Sequence, residues 1–250
     1  MPDAALAALA LPGFWWLAAT IAVAGIVRGF TGFGTALIFV PVAGLFLPAA
    51  QVVATITMLG LASTAALLPR AWRQGNRGEV GLLILAALPT VPLGLMVLEH
   101  LDSTTVRWIV AAIGTVTLGA LMSGWRYAGA VRLPMLLAIG AAAGLLGGMT
   151  GLTGPVVILF YLAGQGAAQS VRVNTILFLA ALDLVIVANL LLGGITTFQM
   201  VWLAGLLAVP YFVTTMIGQA LFHPSRERLY RRAALAVIAL AVTTGLPIWE

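Results

Sequence analysis

Gly25-Ile26-Val27-Arg28-Gly29-Phe30-Thr31-Gly32-Phe33-Gly34 sets a cation and a dense run of glycine in the middle of an otherwise apolar segment. Some 14 apolar residues precede Arg28, and the next charge along the chain is Arg70. Glycine at this density disfavours a continuous helix. A second break follows in the same style, Gly147-Gly148-Met149-Thr150-Gly151-Leu152-Thr153-Gly154-Pro155, inside the uncharged run between Arg132 and Arg172. Each run exceeds the roughly 20 residues that carry a helix across about 30 Å of hydrocarbon. The stretches 14–47 and 133–163 therefore read as pairs of short helices, each joined by a Gly-rich loop.

The rest of the chain agrees with a membrane setting. Hydrophobic residues fill 62% of 250 positions and only 8% are charged, against roughly 25% charged in a soluble domain. A water-facing surface of ordinary size cannot be built from this composition. Full crossings are expected at about 50–69, 80–98, 105–124, 171–192, 198–221 and 231–248, making eight helical elements with the two broken stretches. All 12 basic residues are arginine, and they cluster between apolar runs, which fits membrane topology better than a phosphate-binding face. The N-terminus lacks the basic start of a cleaved signal peptide, so the first apolar segment is expected to be retained. Cysteine is absent, which excludes disulfides, thiolate catalysis and Cys–metal sites. His100 and His223 lack metal-ligand spacing, and no P-loop sequence is found, so neither a metal, another cofactor nor an enzyme activity is expected.

The two halves resemble each other at a separation close to 119 residues. Thr31-Gly32-Phe33 aligns with Thr150-Gly151-Leu152, Leu47-Pro48-Ala49-Ala50-Gln51 with Gln165-Gly166-Ala167-Ala168-Gln169, and Val91-Pro92 with Val209-Pro210. Such self-similarity is how transporter repeats show in sequence. It divides the chain into repeats at 1–128 and 129–250. Charge then selects the path of the broken stretches. If each crosses once, the loop arginines divide five against six between the faces, which gives no orientation. If each is a hairpin, ten share one face and only Arg107 lies opposite, near Glu99 and Asp102. The positive-inside rule favours hairpins, with inverted repeats, cytoplasmic arginines and both termini outside.

Hairpin tips of non-helical backbone must be buried or line a wet cavity, because lipid cannot satisfy their N–H and C=O groups. Two helix N-termini meeting at such tips would present positive dipole ends to an anion. The expected substrate contacts are Arg28, Gly29, Thr31, Gly32, Gly34 and Thr35 in the first break, and Gly148, Thr150, Gly151, Thr153 and Gly154 in the second. The glycines could instead only permit close helix packing. Arg28 reads either as the cationic contact for an anionic substrate or as part of a structural ion pair, since a charge at this depth is costly without a partner or water. Asp183, the one acid inside an expected span, could carry a coupling proton or neutralise an arginine. Asn174 on the same helix is a second coupling candidate, and Gln51, Thr55 and Thr57 are weaker candidates for lining the path.

At the two Gly-rich segments, from Gly25 through Gly34 to Val40-Pro41 and from Gly144 to Gly151, the chain resembles the sulfite exporter TauE/SafE family of membrane permeases. The resemblance covers essentially the whole chain. It implies a secondary transporter of the cell inner membrane, exporting or taking up sulfite, an organosulfonate or a related small anion without ATP and coupled to protons. The family's usual Gly-x-Gly-Gly-Gly run is interrupted here by Thr31 and Phe33, and in the second copy the segment ends in Thr153-Gly154-Pro155. A passive anion channel and a non-transporting membrane scaffold are the alternatives compatible with the same composition.

Overall fold

The computed structural model describes residues 2–31, 33–65, 68–123, 132–157, 159, 168–221 and 227–248. Among them the regular structure is helical throughout, in α1 (Pro2–Leu9), α2 (Phe14–Thr31), α3 (Thr35–Ala43), α4 (Ala49–Ala65), α5 (Leu68–Gln74), α6 (Arg77–His100), α7 (Ser103–Ser123), α8 (Leu133–Thr150), α9 (Ala168–Leu192), α10 (Phe198–Leu221) and α11 (Glu227–Thr244). A short helical turn at 155–157 follows the α8 break. Six helices are long and apolar enough to cross a membrane: α2, α6, α7, α8, α9 and α10.

The element count exceeds the expected eight. Helices α1 and α5 are too short for a search based on uncharged runs of about 20 residues. The breaks also fall off centre. Both first arms were expected to be short, but α2 and α8 have 18 residues each, about 27 Å at 1.5 Å per residue. Only α3, with nine residues, is a short arm in the first stretch. Helix α4 is described as far as Ala65, and residues 66 and 67 of the crossing expected at 50–69 lie outside the described residues.

Burial follows helical periodicity. On α9 the fully buried Phe178, Leu182, Ile186 and Leu190 recur every four residues, while Leu184 and Leu191 point outward. On α10, Leu203, Leu207 and Tyr211 face inward and Val209, Phe212 and Met216 outward. Both faces of these helices are apolar, as expected where the surrounding solvent is hydrocarbon.

Glycine sets the closest helix contacts. A side chain at Gly25 or Gly29 on α2 would run into the backbone of Tyr211, Thr215 and Gly218 on α10. At Gly144 or Gly148 on α8 it would meet the backbone of Ala87 and Val91 on α6. In each pair the contacts advance together along both chains, so α2 runs parallel to α10 and α8 parallel to α6. The two sets correspond residue by residue. Gly25 and Gly29 stand 119 positions before Gly144 and Gly148, and Gly94 packs on Leu145 as Gly218 packs on Ile26. On the partner helices the offset is 124, as between Thr90 and Thr214, so contacts match Val91 to Thr215 and not to Val209. The Val-Pro correspondence read from the sequence is therefore not the one used in packing.

Two contacts fix where the broken stretches begin and end. Gly13, at the start of α2, lies against the ring of Phe46, beyond α3, so the first stretch returns to the end from which it entered. In the second half, Asn76 N–H donates to Asn174 Oδ1 at 2.8 Å, bringing the start of α9 beside the start of α6. Because α8 runs parallel to α6, its start lies at that same end. The segment Gln165-Gly166-Ala167, used above in matching the halves, lies outside the described residues.

Candidate functional site

The two breaks are built alike at atomic detail. Thr31 Oγ1 donates to Val27 O at 2.8 Å and accepts from Phe33 N–H at 3.3 Å. Thr150 Oγ1 donates to Leu146 O at 2.7 Å and accepts from Leu152 N–H at 3.2 Å. Every one of these atoms has its counterpart 119 positions along the chain. A threonine hydroxyl has one proton: Thr150 spends it on the last turn of α8, and Thr31 on Val27 O of α2 or on Phe33 O at 2.9 Å. Thr31 and Thr150 thus end α2 and α8, a use that Thr-Gly at both breaks already hinted at, since threonine in membrane helices often bonds its own backbone. The chain then reverses through left-handed glycine, Gly34 at φ 96° and Gly151 at φ 75°, a region that side chains with a Cβ avoid.

Beyond these turns, both second arms open onto one pocket. Gly34 and Thr35 reach it from the start of α3, and Thr153, Gly154 and Pro155 from the second break. Gly34 has no side chain to cap α3, which leaves the first-turn N–H groups of Thr35, Ala36 and Leu37 at the pocket wall. Arg28 and Asp183 line the same pocket. Asp183 is 5% exposed, attracted by the charge of Arg28 and hydrogen-bonded by the side chain of Thr153. Its carboxylate also fills the space above Gly60 on α4, where no larger residue could sit without displacing it.

The expected contacts therefore separate into groups. Arg28, Gly34, Thr35, Thr153, Gly154 and Asp183 come together. Gly29 and Gly148 pack against the backbones of α10 and α6, and Gly151 sits against Val53 and Ile56 of α4. Thr150 lines a different cavity, next to Arg107. Gly32 lies outside the described residues. Asn174, the second coupling candidate, is remote from the pocket: it accepts from Asn76 N–H and donates to Glu79 Oε1 at 3.4 Å, bracing the α5–α6 turn. Thr57 donates to Val53 O at 2.7 Å, whereas Thr55 is fully buried with its hydroxyl lacking a partner among the described residues.

Sequence reasoning missed Tyr211. It lies mid-way along α10, is 2% exposed, and its hydroxyl bonds Thr35 Oγ1 at 3.0 Å across the pocket wall. The signal was present, since a tyrosine far from a span's ends must find a partner for its O–H. Arg107 was also misjudged. Expected on the face opposite the other arginines, near Glu99 and Asp102, it is 7% exposed in the first turns of α7, and its Nε donates to Gly245 O at 3.3 Å.

A helical membrane protein with a charged pocket where two broken helices restart has the architecture of a solute permease. The profile of the sulfite exporter TauE/SafE family matches residues 17–244, and the chain belongs to that family. It is 29% identical over 226 residues to a protein of Cupriavidus necator described as "Probable sulfite/organosulfonate exporter TauE", covering 87% of this chain and 88% of that protein. No solved structure matches the chain.

Proposed function

We propose that this protein is a secondary transporter that exports sulfite, an organosulfonate or a related small anion across the cell inner membrane, coupled to protons. The two halves, 1–128 and 129–250, act as inverted repeats. The support is the opposite running direction of the pairs α2/α10 and α8/α6, together with their matching glycine contacts. Arginine-rich loops face the cytoplasm and both termini face outside, in keeping with the positive-inside rule. Transport proceeds by one repeat tilting against the other around the pocket.

The observation that carries this reading is the convergence of Arg28, Asp183, the uncapped start of α3 and the turn after the second break on one cavity. Arg28 and the N–H groups at Thr35 and Gly154 hold the oxyanion, since charge-assisted bonds to an anion are stronger than neutral ones. Thr153 and the Thr35–Tyr211 pair complete the polar wall. Asp183 faces the same space and is the group able to take up and release the coupling proton, its position set by Gly60 and Thr153.

The test is flux in proteoliposomes. Sulfite, thiosulfate, ethanesulfonate, sulfoacetate, taurine, sulfate and small carboxylates are offered with and without a pH gradient. Saturable sulfite or sulfonate flux is expected, reduced at least tenfold in Arg28→Ala. Asp183→Asn is expected to keep exchange but lose acceleration by the gradient. Non-saturating flux indifferent to the gradient would identify a passive channel, and no anion flux from folded protein would defeat the transport reading.

A further inference from the structure

The end of α5 and the start of α6 present Trp72, Arg73 and Arg77, all exposed. The backbone between them is held from inside. Ala71 is buried, Gly75 lies against Leu177 of α9, and Asn76 N–H donates to Asn174 Oδ1. The Arg77 guanidinium rests over the Trp72 ring, 5.7 Å from its centre. No described acid pairs with Arg73 or Arg77, and Glu79, two residues on, accepts from Asn174 Nδ2 instead. Two cations are thus fixed at one edge of the protein, one of them docked on an aromatic ring, with no counter-charge among the described residues.

Depth, and the surface just below, indicate what supplies the counter-charge. Helix α6 has 24 residues, about 36 Å at 1.5 Å per residue, against about 30 Å of hydrocarbon. Arg77 is its first residue and so emerges at the level of the lipid phosphates, where tryptophan is enriched. Beneath it the outward stripe of α6 continues at helical spacing through Gly81, Leu85 and Leu88, all exposed. Gly81 has nothing within 4 Å of the place where a side chain would begin. A shallow notch therefore opens directly below Arg77, with the apolar Leu85 at its far end. A free phosphate would engage the arginines and leave the notch empty, whereas a phospholipid occupies both. We propose that this edge is a binding site for an anionic phospholipid of the adjoining leaflet. Its phosphate is held by the guanidinium groups of Arg73 and Arg77 beside Trp72, and an acyl chain lies over Gly81 and Leu85.

The chain contains no cysteine, so Leu85→Cys labelled with bimane places a single reporter on the notch, about 12 Å below Arg77 at 1.5 Å per residue. Leu85 is 66% exposed, so a probe there meets lipid. In reconstituted phosphatidylcholine vesicles, dibrominated phosphatidylglycerol and dibrominated phosphatidylcholine are compared as quenchers at equal mole fraction. Quenching by phosphatidylglycerol is expected to be at least twofold stronger, and to equal that by phosphatidylcholine in Arg73→Gln/Arg77→Gln. Arg73→Lys/Arg77→Lys, which keeps both charges, should retain a preference, and its loss there too would overturn a site built on charge. A bimane at Val116, on the lipid-facing side of α7, should show no preference. Equal quenching by the two lipids at position 85, a preference that survives the glutamine pair, or the same preference at position 116 would each overturn the site. Excess inorganic phosphate, with chloride as the ionic-strength control, should leave the preference in place. Its abolition by phosphate alone would assign the arginines to a free oxyanion and overturn the lipid.

Discussion

At the scale of single residues, the pocket's chemistry turns on how few protons its hydroxyls have left to give. Thr31 and Thr150 donate theirs to neighbouring backbone carbonyls. Thr35 and Tyr211 are different, because they bond each other at 3.0 Å. Whichever of the two donates, the other keeps its proton for a third group, and the pocket is the space both line. Tyr211→Phe alone leaves the Thr35 proton in its place, but Thr35→Val with Tyr211→Phe removes the spare donor altogether. Sulfite affinity is expected to fall about tenfold, the loss of roughly 1.4 kcal/mol that one hydrogen bond to a charged group carries, with maximal flux little changed. A saturation curve decides it: an unchanged half-saturation concentration in the double variant would reduce the Thr35–Tyr211 pair to a brace between α3 and α10. Arg28 and Asp183 were legible in the sequence because a charge within an apolar span stands out. Tyr211 carried its signal only in a mid-span hydroxyl, which was overlooked because its ring blends with lipid-facing neighbours such as Phe212.

At the scale of elements, glycines that look alike in sequence have opposite structural duties. A methyl group added to Gly148 would be driven into the backbone of Val91, which cannot move aside without separating α8 from α6. Gly81, also inside a helix, faces open space with nothing within 4 Å. Gly148→Ala is therefore expected to destabilise the fold by about 1–3 kcal/mol, while Gly81→Ala should be neutral or stabilising by up to about 1 kcal/mol. Thermal unfolding in detergent measures both, and equal effects would mean that α6 and α8 are not this closely packed. The distinction also explains what sequence reading could and could not resolve. The breaks announced themselves through glycine density, and their threonines align at 119 residues. The partners of those glycines on α6 and α10 follow a different offset of 124, so a search at one fixed spacing settled on Val91-Pro92 and Val209-Pro210 instead of the true contacts. Helices α1 and α5 escaped because short interfacial segments leave no long apolar run.

At the scale of the whole molecule, the described loops sort to two ends. Gly13 meets Phe46, Gln199 Nε2 donates to Ala7 O at 3.4 Å, and Arg107 holds Gly245 O, which gathers the α1–α2, α3–α4, α6–α7 and α9–α10 connections and the end of α11 at one end. The Asn76–Asn174 bond marks the other, where Arg73 and Arg77 lie and Arg77 stacks over Trp72 at 5.7 Å. Of the described arginines at the two ends, Arg107 alone sits at the first, and it is buried rather than facing solvent. The positive-inside rule then assigns the Arg73–Arg77 end to the cytoplasm. Single cysteines at Thr104 and Thr197, both exposed, test the first end, and one at Gln74, also exposed, tests the second. In intact cells, a membrane-impermeant maleimide should label positions 104 and 197 and leave 74 unlabelled until the membrane is opened. Labelling of 74 alone would invert the orientation while keeping the hairpins. Labelling of 104 without 197 would be the more damaging result, because two loops that share an end in this fold would then face opposite sides of the membrane, and the return of the broken stretches to their own end would fail with them.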